Sequence, residues 1–467
     1  MKKILLLITP IENSINIETV KQTPKTIGSL PPLGLLYIAG YLRDKFKGSV
    51  DIKIYNASNK SYDKLKEYVT EYKPDIIGIS SFTHSLLDTI KTSKIMRNLF
   101  PNSLICIGGP HANDFPNELM SLNICDVIIS LGGEIVFYEM ADSFLNKKDL
   151  IKVKGIYLKR NNSWIFTGER KKNEMKIDDL PYPAIDLYDY KMNSYILDCK
   201  SPMTTMMTTK GCRNNCLFCN TPRGIEIRKI DSIIKEILFY KSYGIKEIYF
   251  IDDTFNMTDT RLKDFSSALI KNKIKISWSC RLRADKITLE DVRLARKAGC
   301  HTIYFGVETS TDEGLKSINK NVTVKQIEEA FYITRKAGIR TMGYFMIGLP
   351  FEKNIKDIYS TLNFAKRLKC DFALFNIFIP FPKTYLYNKA VEKGIIDDLS
   401  WKSFLLGKDE SFIPPVWSEN FTKQELLETL KDINRKFYLN FAYVIRFLSN
   451  FNNYRFPMRK IKALLGL

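Results

Sequence analysis

The chain has 467 residues, of which 45% are hydrophobic and 26% charged, with 71 Lys and Arg against 51 Asp and Glu for a net charge of +20. This length holds several cores, and this balance excludes an intrinsically disordered chain. The positive charge is diffuse, in a sequence rich in Lys, Asn and Ile throughout, and no nucleic-acid-binding module accompanies it, so it does not point to a nucleic-acid partner.

The opening MKKILLLITP reads as a first strand, because Pro10 and Glu12 follow too soon for a secretion signal. No run approaches the roughly eighteen apolar residues that a membrane-spanning helix needs. A cytoplasmic chain with reduced thiols is therefore expected. KILLLI (3–8), VDIKIYNAS (50–58), PDIIGISSFT (74–83), SLICIGGPHAND (103–114) and CDVIISLGGE (125–134) read as strands ending in small or polar residues. PPLGLLYIAGYLRDKF (31–46) and SLLDTIKTSKIMRNLF (85–100) have helical spacing between them. This alternation predicts a doubly wound parallel α/β sheet over residues 1–150. In such sheets ligands lie beyond the carboxyl ends of the strands. Those ends carry Ser80, Ser81, Thr83, Gly108, Gly109, His111, Gly132, Gly133 and Glu134. The glycines either admit a bulky ligand close to the backbone or only make tight turns. Residues 151–200 read as a connector, with a hairpin around Asn161-Asn162.

From residue 201 the alternation resumes. MTTMMTT (203–209), EIYFIDD (247–253), KISWSC (275–280), TIYFGVE (302–308), TMGYFMIG (341–348) and FALFNIF (372–378) are six strands with amphipathic helices between them. Thr288 with Asp291 and Thr323 with Gln326 mark helix starts, and Gly244, Gly299 and Gly338 mark helix ends. Six βα units predict a parallel barrel or part of one over 201–390, with function on the loops after the strands. Residues 391–467 read as mainly helical.

The loop after the first of these strands holds GCRNNCLFCN, with Cys212, Cys216 and Cys219 drawn from only nine cysteines in the chain. Zinc sites usually want four protein ligands, and no fourth Cys or His is close in sequence. Thiolates also hold iron–sulfur clusters, and three of them on a four-iron cluster leave one iron open to a substrate or cosubstrate. The remaining cysteines are scattered, several of them in apolar strands where they read as small hydrophobes.

CxxxCxxC with Phe218 before the last cysteine, on that loop of a six-unit βα barrel, resembles the radical S-adenosylmethionine (SAM) superfamily. IDDTF (251–255), WSCRLRAD (278–285), FGVETS (305–310), YFMIGLPFE (344–352) and IPFPKT (379–384) resemble, in order, the strand motifs of its cobalamin-dependent subgroup. That subgroup includes class B-type methyltransferases and magnesium-protoporphyrin monomethyl ester cyclases. PPLGLLYIAGYLR, IGGPHA and LGGE resemble its cobalamin-binding domain, so the resemblance spans about residues 1–390.

The resemblance implies a Rossmann-like cobalamin-binding sheet, a partial (β/α)6 TIM-like barrel and a C-terminal helical region. Cys212, Cys216 and Cys219 would each bind one iron of a 4Fe–4S cluster, whose fourth iron chelates SAM. One electron, from a donor such as flavodoxin or ferredoxin, would cleave SAM to a 5′-deoxyadenosyl radical. The resemblance places Asp252 and Asp253 at the amino end or ribose of SAM, Arg283 at its carboxylate and Glu308 at ribose hydroxyls, with Ile347 and Gly348 against adenine. It places cobalamin, as methyl carrier, against Ser80, Ser81, Thr83, Gly108, Gly109, Gly132, Gly133 and Glu134. His84, His111 and His301 are the only histidines, and none lies in a DxHxxG cobalt-binding motif, which fits members that leave the lower axial position free. The expected reaction is methylation of an unactivated carbon in a small-molecule or lipid-like substrate. The alternatives are radical oxidation, cyclisation or rearrangement, and a non-catalytic iron–sulfur sensor.

From Arg435 to Leu467 the chain has seven Lys or Arg and no acidic residue, interleaved with Phe437, Tyr438, Phe441, Tyr443, Phe447, Phe451, Tyr454 and Phe456. Such a stretch either packs on the barrel or makes peripheral contact with an anionic membrane.

Overall fold

The computed structural model describes residues 1–15, 28–130, 132–170, 174–192, 194–195 and 200–449. Cys199, Phe451, Tyr454 and Phe456 lie outside them. The chain divides into two compact units: Met1–Asn16, Pro31–Tyr190 and Leu399–Ile413 form the first, and Ile17–Leu30, Lys191–Asp398 and Pro414–Leu467 the second.

The first unit is built on seven strands: β1 (Lys2–Ile8), β2 (Val50–Asn56), β3 (Ile76–Ser80), β4 (Leu104–Gly108), β5 (Val127–Ile129), β6 (Ile156–Arg160) and β7 (Ser163–Phe166). Their order is β2-β1-β3-β4-β5-β6-β7, parallel as far as β5. Side chains alternate across the sheet, so neighbours in sequence serve opposite cores. Ile4, Leu6 and Ile76 pack with Leu36, Ala39 and Phe137 of helices α1 (Leu33–Phe46) and α4 (Gly133–Leu145). Leu5, Leu7 and Ile77 pack with Leu65, Val69 and Met96 of α2 (Tyr62–Tyr72) and α3 (Leu86–Leu99). Both faces are covered, which is why these strands read as continuous apolar runs. The chain reverses direction across the sheet between β1 and β3, the switch point where such folds bind ligands.

The expected hairpin forms, with Asn161 and Asn162 at φ 49° and 60°, the left-handed pair that a two-residue turn requires. It does more than connect. Its strands β6 and β7 extend the sheet antiparallel from β5, with Val127 opposite Leu158. A hairpin's turn is local and readable, but the strand it will pair with is not.

The second unit holds β8 (Met203–Met206), β9 (Glu247–Phe250), β10 (Ser277–Leu282), β11 (Cys300–Glu308), β12 (Arg340–Ile347) and β13 (Phe372–Ile377), in sequential order. All neighbours are parallel. β8 and β13 lie at opposite ends of the sheet, so the barrel is partial. Helices α5 (Ile230–Ser242), α6 (Arg261–Lys271), α7 (Leu289–Lys297), α8 (Val324–Lys336) and α9 (Ile355–Arg367) alternate with the strands, and α10 (Tyr385–Glu392) follows β13. Thr288 caps α7, and Thr323 with Gln326 forms a capping box on α8. Gly299 after α7 has φ 101°, and a Cβ there would stand 2.2 Å from the Ile276 carbonyl oxygen, so only glycine fits.

Two C-terminal helices, α11 (Lys423–Tyr438) and α12 (Phe441–Ser449), pack on the edge strand β13. The Tyr438 hydroxyl donates to the Ala373 carbonyl at 2.5 Å and accepts from the Ala373 N–H at 3.0 Å. The Tyr443 hydroxyl donates to the Asp371 carbonyl, and Arg446 to that of Cys370. Leu439, Phe441 and Ile445 remain exposed. Among the described residues no helix is long and apolar enough to cross a membrane.

Candidate active site

The cysteine loop leaves β8 through Thr208 and Thr209 and is closed at its base by a short antiparallel ribbon, Thr209 opposite Ile227 and Lys210 opposite Glu226. Gly211 has φ 79°, and a Cβ there would stand 1.8 Å from the Gly224 carbonyl oxygen. The Cys212 N–H donates to the Pro222 carbonyl, that of Leu217 to Ile318, and that of Cys219 to Cys216. The Asn319 amide donates to the Asn215 carbonyl at 2.7 Å. The loop is thus a rigid bracket.

Within it Cys212 and Cys216 are buried and Cys219 is half-buried. The Asn214 amide donates to the Cys212 sulfur at 3.2 Å, and the Thr221 N–H to that of Cys219 at 3.5 Å. N–H donors placed in this way can also bond the sulfurs of iron-bound thiolates. Burial pushes the Cys216 thiol up, and the Lys320 cation nearby draws it back. Among the described residues no three His, Cys, Asp or Glu side chains converge on a single metal ion. A four-iron cluster makes no such demand, since each thiolate binds a different iron.

Beside the loop lies a cavity of about 380 Å³ at the carboxyl ends of β9 to β12. Asp253, Arg281, Arg283, Tyr304, Glu308 and Lys320 line it, with Thr254, Gly306 and Tyr344. The Thr254 hydroxyl is 3.9 Å from the Cys212 sulfur. Asp253 accepts from the Thr221 hydroxyl, and its carboxyl is pushed up by burial against the pull of Arg281. Lys320 Nζ sits 2.7 Å from Glu308 Oε1. A Cβ on Gly306 would meet both, at 2.7 and 2.5 Å, so that glycine makes room for the pair. Glu308 has φ 68°, a left-handed conformation unusual for a non-glycine residue and common where a site imposes it. Tyr304 and Tyr344 stack with centroids 6.2 Å apart.

Of the six residues expected to bind SAM, three line this cavity: Asp253, Arg283 and Glu308. Asp252, Ile347 and Gly348 do not. Asp252 is fully buried and points the other way, accepting from the Thr208 N–H and hydroxyl at 2.6 Å and the Thr209 N–H at 2.8 Å. Its place is to hold the stem of the cysteine loop. Burial outweighs these bonds and pushes its carboxyl up to about 6. Gly348, at φ 75°, lies against Leu426 of α11, whose Cδ1 would be 2.9 Å from a Cβ. Arg283 lines the cavity but commits its guanidinium to Asp285 at 2.9 and 3.1 Å and to the carbonyls of Lys320 and Asn321. The pairing with Asp285 competes with a ligand carboxylate. The cavity also holds Arg281, Tyr304, Gly306, Lys320 and Tyr344, which sequence reasoning does not single out. Strand alternation carries a signal for two of them, since Tyr304 and Gly306 are alternate positions of β11; Lys320 has none.

In the first unit the expected residues gather at the ends of β3, β4 and β5. Ser81 is buried, its hydroxyl 3.1 Å from that of Thr89, while its N–H donates to Gly108 and its carbonyl accepts from His111. Thr83 Oγ1 lies 3.1 Å from His111 Nδ1. A Cβ on Gly109, at φ 95°, would meet Ser81 and Ser80 atoms at 2.9 to 3.0 Å, whereas one on Gly108 would meet nothing nearer than 3.6 Å. Gly109 therefore serves the turn, and Gly108 leaves backbone open. Gly132, at φ 67°, and Gly133 begin α4, with Glu134 in its first turn.

The family model for the Radical SAM superfamily matches residues 206–365, and that for the B12 binding domain matches residues 25–141. An uncharacterized methyltransferase of Pyrococcus horikoshii is 30% identical over 100% of this chain and 98% of its own length. The chain belongs to the radical SAM superfamily, in the group that carries a B12-binding domain. Its cofactors are a 4Fe–4S cluster, SAM and cobalamin. This radical SAM enzyme is also 25% identical to the anaerobic magnesium-protoporphyrin IX monomethyl ester cyclase of Rubrivivax gelatinosus, over 94% of this chain and 79% of that one. Its fold is that of TsrM from Kitasatospora setae, a radical SAM methyltransferase solved with cobalamin and a [4Fe–4S] cluster bound, with a TM-score of 0.65 at 14% identity over 84% of this chain and 78% of that one.

Proposed function

We propose that the protein is a cobalamin-dependent radical SAM methyltransferase acting on an unactivated carbon of a small-molecule or lipid-like substrate. The observation that carries this is the end-to-end 30% identity with the Pyrococcus horikoshii methyltransferase. When bound, the cluster with SAM supplies the radical and cobalamin carries the methyl group. Cys212, Cys216 and Cys219 would hold the cluster, in the bracket that Asp252 and Gly211 shape. Asp253 and Glu308 present carboxylates to the ligand in the cavity, the first oriented by Thr221 and the second by Lys320. Arg283 positions Lys320 through the backbone of residues 320 and 321. Ile347 and Gly348 shape the end of β12. The ends of β3, β4 and β5, from Ser80 and Gly108 to Glu134, hold cobalamin. The domains in this reading are a cobalamin-binding domain, a connector, a radical SAM partial barrel and a C-terminal helical region.

Anaerobic reconstitution with iron, sulfide and cobalamin, followed by SAM and a reductant of the flavodoxin or ferredoxin class, tests this reading. Bound cobalamin with release of both 5′-deoxyadenosine and S-adenosylhomocysteine is expected. 5′-Deoxyadenosine alone, from protein that retains no cobalamin, would transfer the protein to radical cyclisation or oxidation. The exposed Leu439, Phe441 and Ile445 on a basic tail support peripheral contact with anionic lipid. Failure to sediment with anionic vesicles at low salt removes that part.

A further inference from the structure

At the end of the partial barrel opposite the cysteine loop lies a second cavity, of about 540 Å³, at the amino ends of β9 to β12. Seven of its fifteen lining residues are Lys or Arg and none is Asp or Glu, against 71 Lys and Arg among 467 residues in the chain. Compositional bias accounts for about one lysine or arginine in seven, not one in two. Lys200, Lys241, Lys246, Lys275, Arg296 and Lys297 form the wall. None of the six has an ion-pair partner among the described residues. Helix C-termini attract cations, and this explains Lys241, Arg296 and Lys297, which stand in last turns. It leaves Lys200, Lys246 and Lys275, which precede strands and face the same hollow.

The floor is built. Arg340 Nη2 lies 2.8 Å from His301 Nδ1, and His301 Nε2 lies 3.0 Å from Glu247 Oε1. The other Glu247 oxygen accepts the Lys200 N–H at 2.6 Å. The Glu247 carboxylate beneath the cavity is therefore already matched. Ile245, Ile274 and Ile276, all buried, supply an apolar patch beside the cations.

We propose that this hollow is a binding site for a compact polyphosphate anion, a di- or triphosphate chain held by the lysine wall. A phosphate chain relieves the mutual repulsion of the six cations, and lysine serves as a point-charge phosphate binder. The volume fits a small ligand. No Phe, Tyr or Trp lines it, and its one imidazole, His301, is held between Arg340 and Glu247, which disfavours single-stranded nucleic acid, whose bases need stacking platforms. The seven steps from His301 to Glu308 along β11 span about 23 Å, so the anion touches neither cluster nor SAM, and the site is separate from the catalytic one.

Binding of inorganic triphosphate to the reconstituted full-length protein, measured by calorimetry at low salt, tests this. One triphosphate per chain is expected, with affinity falling as salt rises. The double variant Lys246→Gln, Lys275→Gln should bind at least about tenfold more weakly, with SAM cleavage unchanged. Lys325→Gln, Lys356→Gln, which removes equal charge elsewhere, should bind as the parent does. If the first pair misfolds, Lys200→Gln, Lys297→Gln serves in its place. Equal affinity for ATP would assign the site to the phosphate chain alone, and tighter ATP binding would add the isoleucine patch; both support it. Equal losses in wall and control variants, several triphosphates per chain, or an oligonucleotide outcompeting triphosphate would each overturn it.

Discussion

The two ends of the partial barrel are made from the same strands and treat charge in opposite ways. At the carboxyl ends charges meet partners: Glu308 with Lys320, Arg283 with Asp285, Asp252 with three donors. At the amino ends six cations share one hollow without an ion-pair partner among the described residues. A reactive centre needs groups held at fixed positions before the reaction starts, and matched charges hold them. A site that waits for an anion needs the reverse. The lesson is that unmatched charge, rather than charge itself, marks where a small ion would be recruited.

Changes at the carboxyl end should silence the chemistry and leave anion binding at the amino end intact. The largest effect belongs to Cys216→Ala. It should abolish 5′-deoxyadenosine formation and cut iron content, as measured after anaerobic reconstitution, while triphosphate binding persists. Gly211→Ala comes next. Its Cβ would stand 1.8 Å from a backbone oxygen that cannot move aside, so iron content and SAM cleavage should drop by about tenfold or more. If iron content is unchanged, the bracket is not the rigid body described above.

Glu352 sharpens the comparison through pH. It is buried in the turn after β12, and burial pushes its carboxyl up to about 7 against the N–H donors of Leu349 and Gly348. The folded state thus holds this proton more tightly than the unfolded chain, whose value is 4.5. Its contribution to stability falls as pH rises from about 4.5 to about 7, then stays level, a change on the order of 3 kcal/mol. Glu352→Gln keeps an acceptor for Leu349 and should flatten that slope in urea unfolding. An unchanged slope would place its cause elsewhere. The smallest effect is expected from Tyr438→Phe, which removes two hydrogen bonds to Ala373 and should cost about 1 to 3 kcal/mol in the same measurement.

Much of this molecule is legible in its sequence because its signals are local. The strands, the helix-ending glycines and the cysteine spacing each depend on a few neighbouring residues. The hairpin at Asn161-Asn162 is legible for the same reason, and its pairing with β5 is not. Within the site, Asp252 and Asp253 are adjacent and chemically alike. In the loop beyond β9 one enters the cavity and the other turns onto Thr208, and nothing local says which. The lysine wall is hidden more deeply. Its members are scattered from 200 to 297, and only a parallel sheet, which sends every strand's amino end to one side, collects them.

A closed barrel has no first or last strand; this one has both. Beyond β13 the chain sets a helix rather than a seventh strand, and a single phenol at Tyr438 answers the donor and acceptor that Ala373 would otherwise offer to a passing strand. An open barrel can keep room for a large guest only if its rim is made unattractive to other copies of itself. The tail helix is thus a guard against self-association, and its loss should show first as aggregates rather than as a slower enzyme.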